Sequence, residues 1–195
     1  MKEFGLGTWL HRIQQFKTAK SVDAEIARLA DGGFDVFVAA IKNKHGGLDW
    51  NTEIGNVNPD YDVKLDPLKL LIDGCKERGI KFHAWFVVFA AGENSKFRQE
   101  HPEIGAFIPE MGRWGKHFVC ACRPDVQDNV YNQYKEVVEK YRPDALHLDY
   151  IRTLGHCRCL YCQSEMKKRG VDITQYDPRA DGHPNKGFLE WTEWR

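Results

Sequence analysis

The sequence lacks most of the features that would commit it to nucleic acid, a nucleotide cofactor or a membrane. Lysine plus arginine equals aspartate plus glutamate, 28 against 28. No basic stripe therefore offers a footprint for a polyanion or an anionic bilayer, and nucleic-acid and membrane partners are not expected. No glycine-rich phosphate loop follows an apolar run, which removes support for a dinucleotide-binding fold. The longest apolar stretch, AWFVVFAA at 84–91, falls far short of the roughly 20 residues a membrane-spanning helix needs. The opening MKEFGLGTWLHRIQQF has neither the long apolar centre nor the small-residue cleavage site of a secretory signal, so the expected location is cytoplasmic. Internal repeats and low-complexity tracts are absent too. Six cysteines are present. In a reducing compartment they favour a metal or free thiols over a disulfide framework.

Four apolar runs alternate with helical patterns: FGLGTWL (4–10), FDVFVAAI (34–41), IKFHAWFVVF (80–89) and ALHLDYI (145–151). Continuous apolar runs of this length suit parallel strands covered on both faces. From Ser21, Val22, Ile26, Leu29 and Ala30 recur at helical spacing until Gly32. Asp66-Pro67 reads as an N-cap with proline at the first helical position, followed by Leu68, Leu71, Ile72 and Cys75 on the inward face. Asp125 to Tyr141 places Val126, Val130, Tyr134, Val137, Val138 and Tyr141 on one stripe, and Leu160 to Arg169 makes a fourth helix. Strand then helix, four times over, predicts right-handed βαβ units. Helix-to-strand links are short, whereas 42–65, 90–123 and 152–159 are long and all leave the carboxyl ends of strands, where a (β/α) barrel keeps its active site. A full eight-stranded barrel takes about 250 residues. Residues 1–195 are accordingly expected to form a single, partial domain: the amino-terminal half of a (β/α)8 TIM-type barrel, in the α/β class. Trp191 and Trp194 fall where a further helix would begin. Open strand edges and an uncovered inner face would make the chain a homo-oligomer or leave it wanting a carboxyl-terminal half.

Strand alternation puts His147, Asp149 and Ile151 on one face and Leu146, Leu148 and Tyr150 on the other. An aspartate at the carboxyl end of an apolar strand is costly unless paired or working, so Asp149 is either a catalytic group or a structural acceptor for Arg152 or loop amides. His83 and Trp85 share a face on the preceding strand, and two histidines aimed at one mouth suggest a site. Trp9, Trp50, Trp85 and Trp114 are expected at the mouth, either as aromatic surfaces for a ligand or as plain loop packing.

RPDALHLDYIR (142–152), CRPDVQDNVYNQYKEVVEKY (122–141) and GIKFHAWFVVF (79–89) resemble the hypothetical glycosyl hydrolase groups of glycoside-hydrolase-like barrels, distantly similar to α-L-fucosidases and α-galactosidases. The resemblance covers about residues 5 to 195. It implies a carbohydrate substrate and a retaining mechanism with Asp149 as nucleophile, and it makes His83, Trp85, His147, Arg152 and Trp9 candidates for substrate binding. Ala145 stands where the family has glycine. Retaining enzymes need a second carboxyl group about 5 Å away, for which Glu53 and Glu93 are the local candidates. The alternative is a non-catalytic, zinc-stabilised module that binds sugar or a partner.

Cys157, Cys159 and Cys162 form C-x-C-x2-C, one turn presenting three thiolates to a common point, and zinc takes four ligands in a tetrahedron. VCACRP (119–124) can supply the fourth. The layout is similar to the zinc site of family-42 β-galactosidases. That likeness points to Cys120, with Cys122 as the alternate, and His156 can replace a cysteine. A structural zinc is the leading reading beside free or disulfide-linked thiols and an iron–sulfur or redox role. Cys75, on an apolar helical stripe, is a core residue.

Overall fold

The computed structural model describes residues 5–92, 95–152, 155–174, 190 and 193–194, apart from the side chains of Glu110, Arg113 and Trp114. Four parallel strands, β1 (Gly7–Leu10), β2 (Val36–Lys42), β3 (Lys81–Val87) and β4 (Ala145–Asp149), lie side by side in chain order. Helices α1 (Ala19–Asp31), α2 (Pro67–Glu77) and α4 (Pro124–Tyr141) make the crossovers. The short α3 (Lys96–Glu100) lies in the loop after β3, and α5 (Leu160–Lys168) follows β4. This is the four-unit half of a (β/α)8 barrel. Among the described residues no helix is long and apolar enough to cross a membrane.

The two faces of the sheet differ because side chains alternate. Phe37, Ala39 and Ile41 of β2 and Phe82, Ala84 and Phe86 of β3 pack beneath Ile26, Leu29, Leu68, Leu71 and Val137 of the helices. On the opposite face Val38, Ala40 and Trp85 form a smaller cluster. Leu148, at 43 % exposure, and Ile151, at 57 %, are left uncovered at the β4 edge.

Local physics explains where the helices start, and in two places departs from the expected pattern. Thr18 and Ser21 cap α1 reciprocally, each side chain accepting from the other's backbone N–H, which satisfies amides that the first turn leaves without partners. At α2, Asp66 is not a side-chain cap. Its φ of +49° is left-handed, and its carboxylate instead accepts from the Tyr61 hydroxyl (2.5 Å), the Tyr141 hydroxyl (3.2 Å) and Asn51 Nδ2 (3.3 Å). Tyr61 Oη takes over the capping, accepting from the Leu68 N–H at 3.2 Å. On α4 the buried stripe is Val126, Val130, Gln133, Val137 and Tyr141, with Val138 45 % exposed. The stripe turns at 3.6 residues per turn, and two adjacent valines cannot both face the sheet.

Trp50, expected at the mouth, is fully buried. Its ring meets Phe86 at a centroid distance of 5.8 Å, and Nε1 donates to Glu136 Oε2 at 2.7 Å. Removing an indole of this size from water stabilises the fold by about 3 kcal/mol. Glu53 accompanies it, its N–H donating to Glu136 Oε1 at 3.0 Å. This is the α4 side of the sheet.

Asp49 is 2 % exposed, and its Oδ1 finds no hydrogen-bond partner among the described residues. Burial pushes its carboxyl up from 3.8 to about 7, against the opposing pull of Asn58. The folded chain then binds a proton that the unfolded chain has lost, so stability falls as pH rises from about 4 to 7 and stays low above that. Asp49→Asn should flatten this slope. Denaturant titrations should show it more stable than the parent by about 2–4 kcal/mol at pH 8 and equal to it at pH 4. Parallel pH profiles for the two proteins would refute the assignment.

Candidate functional site

A cleft of about 620 Å³ opens at the carboxyl ends of β2, β3 and β4. Its polar lining is His11, Lys42, Asn43, Lys44, His117, Asp149 and Arg152, and Ala40, Trp85, Val87, Met111, Phe118 and Tyr150 supply the apolar wall. Asp149 is the only carboxylate among these described lining residues. Its Oδ2 accepts from Trp85 Nε1 at 3.2 Å and its Oδ1 from the Tyr150 N–H at 2.8 Å. The pairing register sets this geometry. Trp85 stands opposite His147 and Val87 opposite Asp149, so the indole leans one step along the strand to reach the carboxylate.

The small side chains of β2 make room for aromatics from its neighbours. Trp9 of β1 reaches over Val38 and Ala40 to meet Trp85 edge-on at 5.2 Å and His147 at 4.5 Å. His11 meets Trp85 at 4.8 Å. Trp9, Trp85 and His147 therefore form one aromatic group on the inner face, with Trp9 half exposed. Of the residues expected to bind substrate, Trp85 and Arg152 line the cleft, and Trp9 and His147 pack against Trp85. His83 sits two residues deeper on the same face, its pKa lowered by burial first and by His147 second.

Alternation fails just past Asp149. Tyr150 has φ +52°, a conformation that costs a bulky residue of order 1–3 kcal/mol and gathers at functional sites. The turn brings Tyr150, expected on the far face, into the cleft, with its ring 5.9 Å from Phe118 and the Arg152 guanidinium 5.1 Å above it. Ile151, expected beside Asp149, points to solvent. Glu53 lies away from the cleft beside Glu136, and Glu93 and the Trp114 side chain lie outside the described residues, as does Trp191.

Lys42 is the residue sequence reading passed over. A pairing irregularity between Ala40 and Lys42 re-aims the strand end, as bulges do. It places the lysine on the cleft floor at 3 % exposure, with Nζ donating to the Val88 carbonyl at 2.7 Å. Burial pushes its ammonium down to about 7. A lysine ending an unbroken apolar run was the available signal. His11, Asn43, Lys44, Met111, His117 and Phe118 were not legible, because loops bring them in.

Beside the cleft the loops after β3 and β4 bring Cys120, Cys157, Cys159 and Cys162 together, all buried, with their sulfurs within 4.8 Å of one another. Cys120 Sγ is 3.4 Å from Cys162 and Cys159 is 3.7 Å from Cys162. Those spacings approach the ~3.8 Å edge of a tetrahedron built on metal–sulfur bonds of about 2.3 Å, and are far beyond the roughly 2 Å of a disulfide. Cys75, Cys120, Cys157, Cys159 and Cys162 are free thiols. Hydrogen bonds from Cys120, Cys157 and Cys162 hold the Cys159 thiol well below its ordinary value, and the same network, Cys120 first, pushes Cys162 up. Four thiols so close share protons unless a cation lets all of them ionise. The four could hold a metal ion. Cys122, half-buried, packs at the margin of the cluster, and His156 is not among the four. The loops meet tightly. Arg158 N–H donates to the Phe107 carbonyl at 2.6 Å and Cys120 N–H to Ile104 at 2.8 Å, and a Cβ on Gly155 would stand 2.9 Å from Ile108. Met111 packs on this cluster and also lines the cleft, which ties the two sites together. Cys75 is a core residue, its thiol pushed up to about 12 by burial.

The family model described as glycosyl hydrolase-like 10 matches residues 7–195. None of the curated proteins compared with the chain matches it. Among solved structures it is similar to α-L-fucosidase isoenzyme 2 from Paenibacillus thiaminolyticus, with TM-score 0.70 and 21 % identity over 100 % of this chain and 29 % of that one. A hypothetical protein from Ruminiclostridium thermocellum ATCC 27405 aligns with TM-score 0.61 and 14 % identity, over 78 % of this chain and 80 % of that one. An α-amylase from Lactobacillus plantarum aligns with TM-score 0.59 and 16 % identity, over 84 % and 41 %. At these identities the likeness is one of fold. The chain spans less than a third of the fucosidase's length.

Proposed function

The chain belongs to the glycosyl hydrolase-like 10 family, and from that premise we propose that its cleft binds a carbohydrate and supplies the nucleophilic half of a retaining glycosidase. One observation carries the reading: a single carboxylate, Asp149, is oriented by the Trp85 indole at the carboxyl-end mouth of the strands. That is where barrel enzymes place their chemistry. In this reading Asp149 Oδ2 attacks the anomeric carbon. Trp85, with Trp9 and His147 behind it, presents an aromatic surface to the sugar ring, and Arg152 binds at the rim. The acid partner that the mechanism needs about 5 Å from Asp149 is not among the described lining residues, so protonation of the leaving oxygen is assigned to no described side chain of the cleft.

The thiol cluster, in the same reading, holds one zinc ion. Four thiolates leave no open coordination position, so the ion's contribution is structural. It fastens the loop after β3, which carries Met111, Phe118 and Cys120, to the loop and helix after β4. Sugar binding can be read from the indole N–H resonances of isotope-labelled protein. A bound saccharide should shift Trp85 and leave Trp50, sealed in the core, unmoved. If no saccharide in a broad panel moves the Trp85 signal, the reading fails.

A further inference from the structure

The cleft is rich in donors and poor in acceptors. Its described lining carries three basic side chains, Lys42, Lys44 and Arg152, and two imidazoles, His11 and His117, against one carboxylate. Both oxygens of that carboxylate already accept hydrogen bonds from Trp85 and Tyr150. The whole chain is balanced, 28 against 28, so this concentration of positive charge is local. A neutral sugar presents hydroxyls that want acceptors as much as donors, and among the described lining residues the acceptors are few beside the basic donors: Asp149, Asn43, the Tyr150 hydroxyl and one nitrogen of each imidazole when neutral. A carboxylate or sulfate group accepts only, and it matches ammonium and guanidinium donors.

We propose that the saccharide taken by this cleft carries an anionic substituent, a uronic-acid carboxylate or a sulfate ester, seated between Lys42 on the floor and Arg152 at the rim. The inference rests on the carbohydrate reading above. Lys42 is the stronger element. It is desolvated, its ammonium has the Val88 carbonyl as acceptor, and an incoming anion would offset the cost of keeping that charge buried. Arg152 is held over the Tyr150 ring, so less freedom is lost when its planar fork meets a carboxylate or sulfate. Ala40, Val87, Met111 and Phe118 leave an apolar wall for the carbon-bound hydrogens of the same sugar.

The test is a glycan array of carboxylated, sulfated and neutral oligosaccharides probed with the 195-residue chain, followed by titration calorimetry on the hits. Acidic members should bind and neutral members of the same skeleton should bind at least tenfold more weakly. Arg152→Gln and, separately, Lys42→Met should each cost roughly tenfold for the acidic ligand alone, the scale of one charged hydrogen bond. Arg152 is exposed, so its variant reports even where loss of Lys42 unsettles the floor. Carboxylated and sulfated arms distinguish the two sources of charge. Equal binding of acidic and neutral glycans overturns the inference and leaves the carbohydrate reading standing. Binding of no glycan overturns both.

Discussion

Replacing Asp149 with asparagine should reduce glycoside turnover by roughly a thousandfold or more, with saccharide affinity changed only a few-fold. Asparagine keeps the size of the side chain and one acceptor oxygen, enough for one of the two donors, Trp85 Nε1 or the Tyr150 N–H, so the cleft keeps its volume at the cost of one hydrogen bond. What disappears is a carboxylate oxygen able to attack the anomeric carbon. Loss confined to turnover separates a nucleophile from a group that merely binds, because a binding residue raises KM or Kd without touching the chemical step. Trp85→Phe is the companion variant. It keeps an aromatic face and removes the donor that orients Asp149, and a loss of about tenfold is expected from one hydrogen bond. The assay belongs on a preparation containing this chain that hydrolyses a chromogenic glycoside. Undiminished turnover in Asp149→Asn would move the chemistry elsewhere.

Loss of the proposed zinc should be the most damaging change to stability. Protein purified under reducing conditions should carry about one zinc per chain, and a strong chelator should lower its melting temperature by on the order of 10 °C, because binding at a four-thiolate site is coupled to folding. Cys159→Ser should reproduce the loss, as should Cys162→Ser, whereas Cys75→Ser should retain the full metal content. The damage should also reach the cleft. Met111 packs on the thiol cluster and lines the cleft, so chelated protein should lose saccharide affinity along with thermal stability. Elemental analysis that finds no metal, together with a melting temperature indifferent to chelator, would reduce the cluster to four packed thiols.

The four βα units, their order and the whereabouts of Asp149 were legible in the sequence because they rest on local rules. Buried parallel strands must be apolar throughout, helices between them must repeat near every 3.6 residues, and long loops accumulate on one end of such a sheet. The metal candidates were legible for a similar reason. C-x-C-x2-C brings three sulfurs together within one turn, and VCAC lies in the neighbouring loop. Tertiary structure alone decided what depends on contacts between distant segments. Trp50 looked like any loop tryptophan, yet a carboxylate on α4, Glu136, draws it into the core. Asp66 looked like a helix cap, yet two tyrosines claim its carboxylate. Tyr150 enters the cleft and Ile151 turns to solvent because one left-handed residue breaks the alternation that sequence reading assumes. Lys42 reached the cleft floor through an irregularity in strand pairing, which has no signature in composition or periodicity. Local pattern determines which segments are strands and helices. Which side chains meet at the mouth is decided by register, bulges and loop packing, and those are set only when the whole sheet is assembled.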